Sequence, residues 1–239
     1  MEIRDKVALV TGSTGGIGRA IGEKLCRLGS VVYFNSHNSR DKGIKLQAEF
    51  QQDGLKAFYV EGDVSSEEEV RNIFEIIKNE QGRLDILVNN ASIYRKDEPD
   101  YENYSEIHKV NGYGYFLCSL LASQMMEAGK IVNISSIYGI NPDQDSILAS
   151  GVKAEVEAYT KAFAKKLKGR IEVNSVAPGY TETPLLKASL SQDFIDNVVS
   201  KIPIGRLVRP DEIAEAVISL IQNDGITGQT IVVDGGYTL

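Results

Sequence analysis

Cysteine and histidine are scarce: Cys26 and Cys118, His37 and His108 are the whole supply in 239 residues, and no two stand at ligand spacing. That excludes a zinc-type centre and a disulfide framework, and each cysteine falls in a helical pattern where a buried thiol is the expected state. Basic runs are also missing. No stretch of Lys and Arg exceeds two residues and the formal net charge is −7, which excludes the concentrated cation surface that nucleic acid requires. No apolar run approaches the ~20 residues of a membrane span. The opening "MEIRDKVALVTG" leads straight into a strand pattern with no signal-like apolar region, so a cytoplasmic protein without a membrane partner is expected.

What is present is alternation. "VALVT" (7–11) is a continuous apolar run, as in a strand buried on both faces. Ile17, Ala20, Ile21, Leu25 and Leu28 then repeat at helical spacing up to Gly29. Strand patterns recur at 31–35, 56–61, 85–89, 130–135, 171–177 and 230–236. Between them lie helical patterns from about Lys42, from "SSEEEV" (65–70), through 105–127 and through 146–167. Seven strand candidates separated by helices predict a doubly wound α/β fold, a parallel sheet covered on both faces. No linker or repeat divides the chain, so one domain over 1–239 is expected, with a Pro- and Gly-bearing insertion at about 180–208 over the sheet's edge.

The turn after the first strand, "TGSTGGIG", brings Gly12, Gly16 and Gly18 to the mouth of the first helix. Glycines there let backbone approach a pyrophosphate, which the helix N-terminus attracts. "GDV" (62–64), "VNNAS" (88–92), "VNISS" (132–136), "NSVAPGYTET" (174–183) and "ITGQTIVVDGG" (226–236) follow in order. The ordered set resembles the short-chain dehydrogenase/reductase family, closest to the 3-oxoacyl-acyl-carrier-protein reductases and related ketone reductases. The resemblance covers essentially the whole chain and implies a Rossmann-like fold.

It also implies site residues. The glycine loop (Gly12, Ser13, Thr14, Gly16, Ile17, Gly18) would hold the pyrophosphate, Asp63 and Val64 would border the adenine, and Asn90 with Ala91 would back the nucleotide. Pro178, Gly179, Thr181 and Thr183 would meet the nicotinamide end. Asp63 has a plainer reading as a cap for the helix that begins near Ser65. At the end of the second strand, where an acid would bond the ribose 2′-hydroxyl, the chain has Ser36, with His37 and Arg40 just beyond. NADP(H) is therefore favoured, and NAD(H) stays open.

Family members reduce a carbonyl by hydride transfer while a tyrosine supplies the proton, a lysine at i+4 lowering the phenol pKa from about 10. By resemblance Ser136 holds the substrate oxygen, Asn111 belongs to a proton relay, and Lys153 is that lysine. Ala149 occupies the tyrosine's place, and none of the eleven tyrosines has a lysine four residues on. Ser92, Tyr94, Ser136, Tyr138 and Tyr180 would line the substrate pocket. The resemblance implies a homotetramer built through the 105–127 and 149–167 helices and the C-terminal "DGGYTL". Three readings stay open: an NADP(H)-dependent carbonyl–alcohol oxidoreductase impaired because its catalytic tyrosine has been replaced by Ala149 by design, a natural non-catalytic nucleotide-binding or scaffold protein, and an active enzyme using Tyr138.

Overall fold

Alternate residues of the first strand, β1 (Val7–Val10), serve two different cores: Val7 and Leu9 point into one, Ala8 and Val10 into the other. That is the period-2 geometry of a strand with helices above and below. The computed structural model describes residues 1–94 and 100–239. After β1 come α1 (Gly16–Arg27), β2 (Val31–Ser36), α2 (Arg40–Gln52), β3 (Ala57–Glu61), α3 (Glu67–Gln81) and β4 (Ile86–Asn89). The second half runs α4 (Tyr101–His108), α5 (Gly114–Met125), β5 (Gly129–Ile134), α6 (Ile147–Lys166) and β6 (Ile171–Pro178). It closes with α7 (Pro184–Ser189), α8 (Gln192–Lys201), α9 (Pro210–Gln222) and β7 (Thr230–Val233).

The seven strands form one sheet in the order β3-β2-β1-β4-β5-β6-β7, every neighbouring pair parallel. This is the single doubly wound, Rossmann-like domain that the alternation predicts. One core packs α1, α2 and α9 on the sheet through Ile21, Leu25, Phe50, Val217 and Ile221; the other packs α3, α5 and α6 through Ile73, Ile77, Leu117, Leu121 and Phe163. Connections leave β1 and β4 toward opposite sides, so a crevice opens over their C-terminal ends, where such sheets bind ligands.

Three local outcomes differ from the periodicity. The 105–127 pattern is not one α-helix. A π turn, Lys109–Tyr113, separates α4 from α5 and adds a residue to the turn. Helix α2 starts at Arg40 rather than Lys42, which makes Arg40 an end residue. Asp63 does not cap α3, because Ser66 does, accepting a hydrogen bond from Glu69 N at 3.4 Å. The insertion after β6 carries α7 and α8 and is closed by a one-residue bridge between Thr181 and Val208. Among the described residues no helix is long and apolar enough to cross a membrane.

Candidate active site

The glycine loop divides into residues that shape it and residues that face the crevice. Gly12 has φ +59°, and a Cβ there would lie 2.5 Å from the Ala91 Cα. Gly18 lets α1 settle onto the loop, since its Cβ would fall 2.5 Å from Asn90 Nδ2 and 2.7 Å from the Gly12 carbonyl. Asn90 ties the loop down by donating to the Thr11 and Gly12 carbonyls at 3.0 and 2.8 Å. Ser13 is fully buried, its hydroxyl donating to Val10 O at 2.7 Å and accepting from Asn35 N at 2.9 Å. Ser13 and Gly18 are therefore supports of the loop. Gly12, Thr14, Gly15, Gly16 and Ile17 line a cleft of about 1340 Å³.

Whether this loop fits a dinucleotide can be judged from the helix behind it. Gly15 is the N-cap of helix α1 and offers no side-chain cap, and no acid stands in the first turn, so the leading N–H groups remain for an anion. A Cβ on Gly15 would meet nothing within 4 Å, so the backbone is approachable there. The fit to a pyrophosphate is good. Gly12→Ala is expected to cost roughly 1–3 kcal/mol through a left-handed alanine and a clash with backbone. Urea denaturation reads this, and an unchanged midpoint would contradict the packing.

At the end of β2 the cation set is larger than the sequence expectation. Ser36 is buried with its hydroxyl 3.0 Å from Tyr59 OH, and His37 lines the cleft with Nδ1 3.8 Å from Asp63. Arg40 lines an adjoining hollow that shares Asn38, Ser39 and Lys42 with the cleft. Its guanidinium turns to Glu61 at 3.4 Å, because Glu61 ends the neighbouring strand in register with Ser36. Lys42 and Arg19 line the cleft as well, and sequence reasoning passed over both. Lys42 left a trace: a cation in the first turn of a helix opposes the helix dipole unless an anion answers it. Asp63 also lines the cleft, its Oδ1 accepting from Ser65 N at 2.8 Å, with Val64 beside it.

Opposite the loop the candidate catalytic residues of the sequence converge. Ser136 caps a short 3₁₀ turn, Ile137–Gly139, and its Oγ accepts from Tyr138 N at 3.2 Å. The hydroxyl proton is thereby left for another acceptor. Asn111 lies in the π turn, where its side-chain amide accepts from Ile93 N at 2.8 Å and donates to Ile93 O at 2.9 Å. Ser136, Asn111, Ala149 and Lys153 all line the one cleft, with Ala149 and Lys153 one turn apart on α6.

Lys153 is buried at 7 % exposure. Its Nζ donates to Ile134 O at 2.8 Å and to Tyr115 OH at 3.3 Å, and lies 4.6 Å from the Tyr115 ring centre. Burial pushes its pKa down from 10.5 to about 7, opposed by the charge of Glu157 one turn further on. Glu157 is buried too, with Ser175 donating at 3.1 Å and Thr230 also bonded to it. Tyr115 was not anticipated from the sequence, being 38 positions from Lys153 and on another helix.

The wall formed by the substrate-pocket candidates is aromatic. Tyr138 OH and Tyr180 OH are 2.6 Å apart, and Tyr180 packs against Tyr237 and Phe194. The Tyr138 phenol, whose pKa burial raises, is thus engaged with Tyr180, while Lys153 is bonded to Tyr115 and the Ile134 carbonyl. Ser92, Tyr94, Pro178, Gly179, Leu185 and Leu190 complete this wall. Thr181 donates to Gly179 O at 3.0 Å, and Thr183 caps α7 while its methyl lies 3.5 Å from where a Gly16 Cβ would be. The insertion therefore rests against the glycine loop.

Fold and site together define a dinucleotide-binding oxidoreductase class. The family described as "Enoyl-(Acyl carrier protein) reductase" matches residues 12–238. The 3-oxoacyl-acyl-carrier-protein reductase of Aquifex aeolicus is 38% identical over 99% of this chain and 98% of its own. That of Thermotoga maritima is 34% identical over 100% of both. A solved mutant of a Serratia marcescens short-chain dehydrogenase/reductase superposes with a TM-score of 0.92 at 28% identity, covering 100% of both chains. The chain belongs to the short-chain dehydrogenase/reductase family.

Proposed function

We propose that the chain is an NADP(H)-dependent oxidoreductase that interconverts a carbonyl and a secondary alcohol, slowed by the alanine at 149. The observation that carries this is the shared cleft: an uncapped helix N-terminus at one end, and Ser136 with buried Lys153 at the other. A nicotinamide bound there would supply the hydride. Gly12, Gly16 and the start of α1 hold the pyrophosphate, and Lys153 faces the ribose. The Ser136 hydroxyl donates a hydrogen bond to the substrate oxygen, and Asn111 pins the Ile93 backbone that walls the site.

A 3-oxoacyl thioester is the first substrate class to try, given the reductases among the relatives and an entrance lined by Leu185, Leu186 and Leu190. The reading includes a homotetramer, supported by the exposed Val232 on edge strand β7 and the exposed C-terminal Leu239. Oxidation of NADPH in the presence of 3-oxoacyl thioesters and cyclic ketones tests the activity; absence of turnover with every ketone, before and after a phenol is restored at 149, would sink it. That outcome with NADPH still bound would favour the non-catalytic reading, for which Ala149 itself is the supporting observation.

The preference for NADP(H) rests on Ser36 in place of an acid and on Lys42 at the cleft wall. Lys42→Ala is expected to weaken NADPH binding roughly tenfold, the loss of one charge-assisted bond to phosphate. NADH binding should barely change. Equal weakening of both cofactors in fluorescence titrations would remove the argument for the 2′-phosphate.

A further inference from the structure

Three atoms close a triangle at the floor of the cleft. Lys153 Nζ donates to Ile134 O at 2.8 Å and to Tyr115 OH at 3.3 Å, and Tyr115 OH itself donates to Ile134 O at 3.1 Å. An amine has two N–H groups and a lone pair; an ammonium has three N–H groups. The two bonds satisfy the amine's donors completely and leave one valence over, a lone pair or a third N–H according to charge. Lys153 lines the cleft one helical turn from Ala149, whose methyl leaves open the space on that side.

We infer that Lys153, clamped by Tyr115 and the Ile134 carbonyl, delivers the proton to the carbonyl oxygen in this chain, through one water in front of Ala149. This rests on the oxidoreductase reading above. As hydride adds to the carbonyl carbon, the C=O π pair moves onto oxygen. The water's O–H bond breaks toward that oxygen while an N–H bond of Lys153 breaks toward the water, and the electron pair stays on Nζ as a neutral amine. Solvent in the open cleft returns the proton.

The surroundings support both protonation states. From α5, Tyr115 offers a ring face and an oxygen, both favouring the cation. Behind it Cys118 is a buried thiol, its pKa raised by burial. From α6, Glu157 favours the cation, and Ser175 of β6 and Thr230 of β7 hold that carboxylate in place. β5 contributes the Ile134 carbonyl, and Ser135 Oγ bonds the Lys153 carbonyl at 3.4 Å. Burial opposes all of these, and the balance falls at about 7, near working pH, where an acid–base group is most effective. Tyr115 is on this account a positioning residue.

The test pairs a titration with a rate profile on the whole chain. Nitrogen-15 lysine spectra, with Lys153→Met supplying the assignment, should show Lys153 titrating at about 7 without cofactor or substrate. With saturating NADPH and a ketone, kcat of the same chain should fall about tenfold per pH unit above that midpoint. Tyr115→Phe should move both midpoints together to lower pH, by roughly one pH unit for one lost bond to the cation. A Lys153 midpoint above pH ~9, a flat profile, or midpoints that part in Tyr115→Phe would overturn the inference. If Ala149→Tyr reduces ketones and the present chain shows none, the oxidoreductase reading survives and proton delivery by Lys153 does not. If neither reduces any ketone, both fall, and the spectra still report on the clamp.

Discussion

Ala149→Tyr is expected to raise kcat for ketone reduction at least ~10²-fold, the contribution of a positioned general acid, equivalent to about 2.7 kcal/mol of barrier. Residue 149 lines the cleft and stands one turn before Lys153 on the same helix face. A phenol added there would project into the space beside Ser136 and feel the lysine cation. NADPH affinity should change far less, since the glycine loop and the start of α1 lie elsewhere in the cleft. Stopped-flow or steady-state NADPH oxidation by the two proteins, with dissociation constants from fluorescence, makes the comparison. Equal kcat on a substrate that both accept would show that 149 is not the missing acid. A gain in affinity that accounts for the whole change would place the effect in binding.

Lys153→Met carries the second large effect, and it runs in opposite directions for activity and stability. Burial holds the lysine pKa at about 7 against 10.5 for the free group, so between those values the unfolded chain binds more protons than the folded one. Stability then rises with pH across that window. The penalty of burying the ammonium is complete below about pH 7, shrinks above it, and is gone near 10.5. Methionine of similar length removes the penalty and also two hydrogen bonds, although Tyr115 keeps its own bond to Ile134 O and Glu157 keeps Ser175 and Thr230. The variant should be more stable at pH 6 by roughly 1–4 kcal/mol, with the difference closing toward pH 10, while ketone reduction is lost. Denaturant melts at the two pH values decide it. A variant less stable at pH 6, or an offset independent of pH, would mean that Lys153 is not a buried, strained cation.

Much of this was legible in the chain because the relevant information is local. Two-face burial of β1 shows in the unbroken run "VALVT", and the loop glycines show in "TGSTGGIG". Motif order singled out Ser136 and Lys153, which line the one cleft, and counting from every tyrosine shows that none has a lysine four residues on. The strand count, the parallel order and the helical coverage follow from those same periods. The reading of 105–127 as one helix failed at Asn111, where the π turn arises. Gly112 and Gly114 permit the close approach there: Cβ atoms would lie 2.8 Å from Glu155 and 3.0 Å from Val64. Helical spacing cannot register a tertiary contact that adds one residue to a turn.

The amino-acid order by itself therefore determined the layers, the glycine turn after β1 and the absence of a tyrosine at i−4 from Lys153, since periodicity and capping act within a few residues. Only the tertiary structure decided how the cations are set, Lys42 and Arg19 on the cleft wall and Arg40 paired with Glu61 in the adjoining hollow. It alone engaged Tyr138 with Tyr180 and set Tyr115 against the Lys153 amine. Those pairings join separate elements, and their distances depend on strand register, helix rotation and rotamer together, none of which a one-dimensional pattern encodes.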